Sequence, residues 1–347
     1  MYAKHSSERF GFSPKLNLNP SRFPVASSSP NSTKGPSIDA SNPSPVPTKI
    51  IGAFVTATAD RAPPPFAEPS NLVKTTPLPY EKEFYTDFVV PNKILKNIKN
   101  NNCFVFIQIE NYNSKNVVPV IKKDLWANGQ LIVELKFKSE QAAINYFKYK
   151  NNELKSILKT FNLNKIQKSF SDKNNINKEL EKSLGLKFKA PSGIKLNKKT
   201  KNFWWWSTLE IQKDQNGSHE IQRGIVLCQE DYKNKNQFEK SKILSVKDSL
   251  GKAYLTGKRD SSFMKTVENE ISKTMDTSFY INNKYVKQIK GCWRMENDKM
   301  GGPFLSYSWL NSKKTKIITA QGYLYAPNFE KSKYLRELEA IIVSGIK

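Results

Sequence analysis

Gly291-Cys292-Trp293-Arg294-Met295-Glu296-Asn297-Asp298-Lys299-Met300-Gly301-Gly302-Pro303-Phe304 is the stretch on which the fold turns. Dense aromatic and apolar residues flank Met300-Gly301-Gly302-Pro303, which reads as a tight turn between two strands, Lys284 to Met295 and Pro303 to Leu310. A second turn, Asn311 to Thr315, leads into a third antiparallel strand, Lys316 to Tyr325. Beyond it Tyr334, Leu335, Leu338, Ile341 and Ile342 fall on one helical stripe. This predicts a closing helix from near Asn328 to Val343, with Lys333, Arg336, Glu337 and Glu339 on its wet side.

Upstream, Asn202–Ile211 and Glu220–Cys228 are apolar-rich segments joined through Asn216-Gly217, the dipeptide that supplies the positive φ angles of a type I′ hairpin turn. Lys242 to Tyr254 reads as a helix and Arg259 to Lys265 as a loop or short helix. In the first half, Cys103–Ile109 reads as a buried strand, Val117 to Ile121 as another, and Asn92 to Lys99 as a short helix. Leu131, Val133, Leu135 and Phe137 alternate with Glu134 and Lys136, a strand with one solvated face. Ser139 starts a long helix, and Asn175 to Leu184 makes a second, stopped by Gly185. Leu186 to Pro191 then returns as a strand, completing a βαβ-like unit.

The first 80 residues differ. They hold 14 of the 19 prolines, with runs such as Ser27-Ser28-Ser29-Pro30 and Pro63-Pro64-Pro65, too little apolar surface to offset the entropy of ordering. The expected organisation is a disordered tail over 1–80 and an α+β domain over 84–347, divisible into halves 84–200 and 201–347. The fold class is α+β: two strand-helix halves, a mainly antiparallel sheet, helices packed on one face.

Charge narrows the function less than it first suggests. The net charge is +25, yet only seven of the 56 basic residues are arginine, the side chain favoured for bidentate phosphate and base contacts. Lysine and asparagine rise together, as an A+T-rich coding bias would produce, and a solvated lysine coat is the simpler reading. Cys103, Cys228 and Cys292 are scattered, with neither a CxxC pair nor a disulfide framework. No apolar run approaches a membrane span, and no ordinary signal peptide is visible.

Chemistry-bearing residues are sparse. His5 and His219 are the only histidines, and no phosphate loop, GxSxG elbow or HExxH pattern appears, so the reading leans away from an enzyme and calls for no cofactor or metal. Glu296 and Asp298 flank the Met300 turn two residues apart, a spacing that suits an acid-base pair but also simple turn capping. Arg259-Asp260 is either an ion pair or part of a site. Trp204-Trp205-Trp206, with Lys195, Lys198, Lys199 and Lys201 upstream, is the strongest binding candidate. Strand alternation puts Trp204 and Trp206 on one face and Trp205 on the other, and packing is the expected role of Trp205. The candidate binding residues are therefore Trp204, Trp206, Lys199, Lys201, Arg259, Glu296 and Asp298.

Six pieces in order resemble the bacterial domain of unknown function 4837 family: Lys123–Gln130, Phe203-Trp204-Trp205, Arg259-Asp260-Ser261, Gly291–Phe304, Gly322–Pro327 and Tyr334–Ala340. The resemblance spans about residues 100–345. It implies a lipoprotein-like protein of the cell envelope with no established activity, although Cys103 lies in a predicted strand and not after a signal. The expected role is a partner- or glycan-binding module. The alternative is a basic single-stranded nucleic-acid binder using the tryptophan run, which would lose affinity steeply with salt.

Overall fold

The computed structural model describes residues 49–56, 75–77, 80–82, 84–89, 99–110, 117–214, 217–270 and 272–346. Among the described residues the strands form two large sheets and one two-stranded hairpin. The smaller has the order β4-β1-β5-β7-β6, built from β1 (Lys49–Thr56), β4 (Tyr85–Val89), β5 (Cys103–Ile109), β6 (Val120–Lys123) and β7 (Leu131–Phe137). β1 pairs in parallel with both β4 and β5, β5 in parallel with β7, and β6 closes antiparallel on β7. A short hairpin, β2 (Thr75–Pro77) with β3 (Tyr80–Lys82), precedes β4. These elements lie inside the stretch read as tail or just after it, so paired backbone starts well before Phe84. The remainder of the tail, the Asn92–Ile98 part of the expected short helix and Asn216 of the hairpin turn lie outside the described residues.

Helices α1 (Glu140–Asn145) and α2 (Asn152–Ser169) follow β7, joined by one π turn, Tyr146–Lys150. Ser139 caps α1 as its sequence position suggests, its Oγ accepting from Ala142 N at 3.2 Å. Tyr146, Phe147, Leu154 and Leu158 bury against Val105, Leu135 and Phe137 of the small sheet. Helix α3 (Asn175–Leu184) ends at Gly185 in the left-handed region, φ 66°.

The larger sheet is antiparallel, in the order β11-β13-β14-β15-β10-β9-β8, with β12 also on β13. Its strands are β8 (Lys195–Lys199), β9 (Phe203–Asp214), β10 (Gly217–Asp231), β11 (Met264–Val267), β12 (Met275–Ile281), β13 (Lys284–Met295), β14 (Gly301–Leu310) and β15 (Lys316–Tyr325). The three C-terminal strands and the long β9–β10 hairpin form as the sequence predicts. β11 and β12 are additions that the sequence pattern did not announce. The central strands divide their side chains between two cores. Trp204, Trp206, Ile225, Leu305, Tyr307 and Trp309 meet α3 and α5 (Ser332–Ser344). The alternate set, including Phe203, Trp293, Phe304 and Tyr323, meets α4 (Lys240–Tyr254). No helix among the described residues is long and apolar enough to cross a membrane.

Three local expectations are corrected. Leu186–Pro191 is not a ladder strand; only Ala190 bridges, to Ser171. Amide side chains take the strand partner's place: Asn174 and Asn177 Nδ2 donate to Phe188 O at 2.8 and 2.9 Å, and Phe188 N donates to Asn177 Oδ1 at 2.7 Å. The turn after β13 lies at Glu296–Lys299, with Asn297 at φ 55°, not at Met300–Pro303. Gly301 and Gly302 belong to β14, where a Cβ on Gly302 would stand 2.0 Å from Leu324 O. The closing helix starts at Ser332, and its Glu337 and Glu339 are buried at 3% and 5% exposure, not solvated.

Candidate functional site

The tryptophan run does not present a stacking platform. Trp204 and Trp206 are 1% and 0% exposed, inside the core that α3 and α5 cover. Trp205, expected to be the packing residue, is the half-buried one, and its Nε1 donates to Tyr323 Oη at 2.9 Å. Strand alternation was read correctly, but which face the helices cover depends on elements that sequence order does not locate. Lys199 pairs with Glu179 of α3 at 2.7 Å. Lys201 is exposed just before β9. Lys195, Lys198 and Lys199 line the sheet's β8 edge, which also carries a bulge between Leu196 and Lys198. Lysines and a bulge are how edge strands avoid unwanted pairing.

Glu296, Asp298 and Arg259 stay near one turn without converging on a site. Glu296 bonds Lys265 and lies 3.6 Å from Arg294, while Arg259 reaches Asp298 at 3.9 Å from a 62% exposed side chain. The hydrogen bond from Lys265 holds the Glu296 carboxyl below its usual range. An acid-base pair needs two carboxyls pushed apart in pKa beside a cavity, and this cluster is an open charge network. His219 bonds Asn328 at the surface, 2.7 Å from Nδ1. Burial pushes the Cys103 and Cys228 thiols up to about 12, which removes them as nucleophiles at neutral pH.

The unusual electrostatics lie under α5 and α4 instead. Glu337 bonds Arg223, whose other terminal nitrogen meets Glu210 at 3.0 Å and whose guanidinium lies 5.6 Å from the Tyr334 ring centroid. Burial raises the Glu337 carboxyl, with Arg223 opposing. Glu339 accepts from Tyr307 Oη, from Gln288 Nε2 at 3.1 Å and from Lys159 Nζ at 2.8 Å. Burial alone would raise it too, but Lys159 and Lys290 hold it at about 2. Under α4, the Lys247 ammonium is buried 4.7 Å from the Phe304 ring centroid and 3.2 Å from Asp248 Oδ1, and burial lowers its pKa. None of these groups carried a sequence signal. Glu337 and Glu339 are expected on the solvated side of the helix; Glu337 is held by Arg223 of β10, and the α2 helix that reaches Glu339 lies some 170 residues upstream, its Gln167 Nε2 donating to Ala340 O at 2.9 Å.

The exposed apolar surface is elsewhere. Leu209 and Ile211 of β9 are 62% and 63% exposed, on the same side of the strand as Trp205. Cross-strand register sets Leu209 beside Gln222 and Gln222 beside Tyr325, so the half-buried polar Gln222 and Tyr325 border the pair on β10 and β15. Among the described residues no three His, Cys, Asp or Glu side chains gather as metal ligands.

Comparison with known families divides the chain at the α2–α3 junction. Residues 173–344 match a family described as Domain of unknown function (DUF4837). That part of the chain belongs to the DUF4837 family. Five of the six recognised pieces lie within it; the sixth, Lys123–Gln130, falls in residues 72–171, which match a second family, Domain of unknown function (DUF8532). The DUF4837 region thus comprises the large sheet with α3, α4 and α5, and the DUF8532 region most of the small sheet with α1 and α2. No curated protein matches the chain.

Proposed function

We propose that the protein is a non-enzymatic binding module that takes an acidic protein partner on the β9–β10–β15 face of its DUF4837 region. The observation that carries this reading is the pair Leu209 and Ile211, large aliphatic side chains standing more than three-fifths exposed side by side on a rigid sheet. Single exposed apolar residues are ordinary, but a contiguous strip bordered by polar groups is the usual mark of a protein contact. Branched aliphatic side chains favour a protein surface over a sugar, which stacks on flat aromatic faces; Trp205 is half-buried, with its N–H already given to Tyr323. The charge of +25 supports an acidic partner, steered in at low salt. The cell-envelope setting rests on the family resemblance alone. The nucleic-acid alternative loses its stacking residues, because Trp204 and Trp206 are inside.

The test places a photo-crosslinking amino acid at 209 or 211 and, as control, at 197, then reconstitutes the captured protein with the purified chain. The reading requires cross-links specific to 209 and 211 and an acidic partner whose Kd rises roughly tenfold or more with Leu209→Asp. Equal labelling at 197, or a partner that binds the Leu209→Asp variant unchanged, overturns it. Binding of soluble glycan fragments that Leu209→Asp leaves intact would overturn it in favour of a sugar site.

A further inference from the structure

α5 closes the DUF4837 region, yet its first turn is capped from the other family region. Its own N-cap residue, Lys331, makes no side-chain cap hydrogen bond. The Glu81 carboxylate takes that place, accepting from Lys331 N at 2.7 and 2.8 Å, Ser332 N at 2.6 Å and Ser332 Oγ at 2.7 Å, across 250 residues of sequence. A carboxylate here satisfies otherwise open helix donors and complements the positive end of the helix dipole. Three residues on, Phe84 is 2% exposed in the core formed by β5, β7 and α2. The same helix is held midway along its length by Lys159 on Glu339 and by Gln167 on Ala340 O. Glu81, Lys159 and Gln167 belong to the 72–171 match, and the groups they hold on α5, Lys331, Ser332, Glu339 and Ala340, belong to 173–344.

We infer that Glu81 and Phe84 are the two ends of a strap that fastens α5, so that the two family regions fold and open as one cooperative unit and the position of α5 reports on both. The strap is the element that release or displacement would act on: freeing Glu81 uncaps the helix turn that precedes Tyr334 and Glu337. Regions joined only by a chain link open independently, whereas regions sharing a helix open together.

Hydrogen exchange of the full chain across a urea series reads this directly. In the wild type, amides of β7 and β14 should share one global opening midpoint. In Glu81→Ala, amides 332–335 should exchange roughly tenfold faster, and in Glu81→Ala/Lys159→Met the β7 and β14 midpoints should separate. Glu81→Ala with Lys331→Asp supplies a local cap instead; it should restore protection at 332–335 while Lys159→Met still separates the midpoints. Separate midpoints already in the wild type, or unchanged exchange at 332–335 in Glu81→Ala, overturn the strap. Full recoupling by Lys331→Asp would reduce Glu81 to a cap and also overturn it. The assay does not involve the Leu209 strip, so its outcome is independent of whether a partner binds there.

Discussion

Glu337 and Glu339 stand two residues apart on one helix, both nearly sealed from solvent, and their carboxyls are displaced in opposite directions. The difference is one of company. Glu339 faces Lys159, Lys290 and a tyrosine hydroxyl, whereas Glu337 shares the single guanidinium of Arg223 with Glu210.

Stability should follow that asymmetry as pH changes. Glu339 has a folded pKa of about 2, below its unfolded value, so its contribution is present above the unfolded pKa of 4.5 and is lost as pH falls through about 2. Integrated, this is roughly 3 kcal/mol at neutral pH. Glu337 is raised, so what it contributes is present below 4.5 and lost as pH rises through its folded value. Urea melts should find Glu339→Gln strongly destabilising at pH 7 and Glu337→Gln much milder, with the gap narrowing toward pH 3. Equal losses at pH 7 would contradict the assignment.

Lys247 should be dispensable for folding. Its pKa is lowered by burial, so the charged form is penalised at neutral pH and stability rises as pH climbs from the folded toward the unfolded value. Lys247→Met keeps the stem and removes the buried charge, and is expected to leave stability unchanged or raise it by about 1 kcal/mol. A thermal melt showing a loss of several degrees would mean the contact with Phe304 outweighs desolvation.

Two glycines offer a contrast in which only local space differs. Gly302→Ala would drive a Cβ to within 2.0 Å of the Leu324 carbonyl, backbone that cannot yield without parting β14 from β15, and should cost about 2–3 kcal/mol. Gly193 has no neighbour within 4 Å of the same position, so Gly193→Ala should be close to neutral. Comparable urea midpoints for the two variants would refute the close approach.

Packing and binding should separate within the tryptophan run. Trp204→Ala empties a fully buried site and should cost roughly 3–5 kcal/mol. Leu209→Ser and Ile211→Ser touch only exposed methyls and should shift stability by no more than about 0.5 kcal/mol. A large loss on either serine substitution would show that the strip is core.

Periodicity made much of this fold legible. The alternation in β7, β9 and β15, the Ser139 cap and the Gly185 stop all follow from local chemistry that works the same way in any context. What stayed hidden was tertiary coverage. Trp204 and Trp205 have identical side chains and differ only in which side α3 and α5 occupy. Glu339 looks solvated until Lys159 of α2 is placed against it, and Glu337 until Arg223 of β10 is. β11 is only four residues long, and β12 is mostly exposed with most of its apolar residues bunched at one end, so neither carries a clear alternation of its own. The candidate site suffered most, because exposure is a property of the assembled surface, and nothing in the Asn202–Ile211 segment sets Leu209 and Ile211 apart from its buried residues.

The asparagines that stand in for a strand beside Phe188 have a consequence over time. Asn174 and Asn177 both donate an amide N–H to one buried carbonyl. Spontaneous deamidation of either would replace a donor with a carboxylate facing that oxygen, repulsion in a site with no water to screen it. Conversion at this corner would loosen Phe188 from beneath Gly345 and the end of the closing helix, and mass-resolved deamidation at position 174 or 177 should track loss of folded protein, whereas conversion at the exposed Asn128-Gly129 should not.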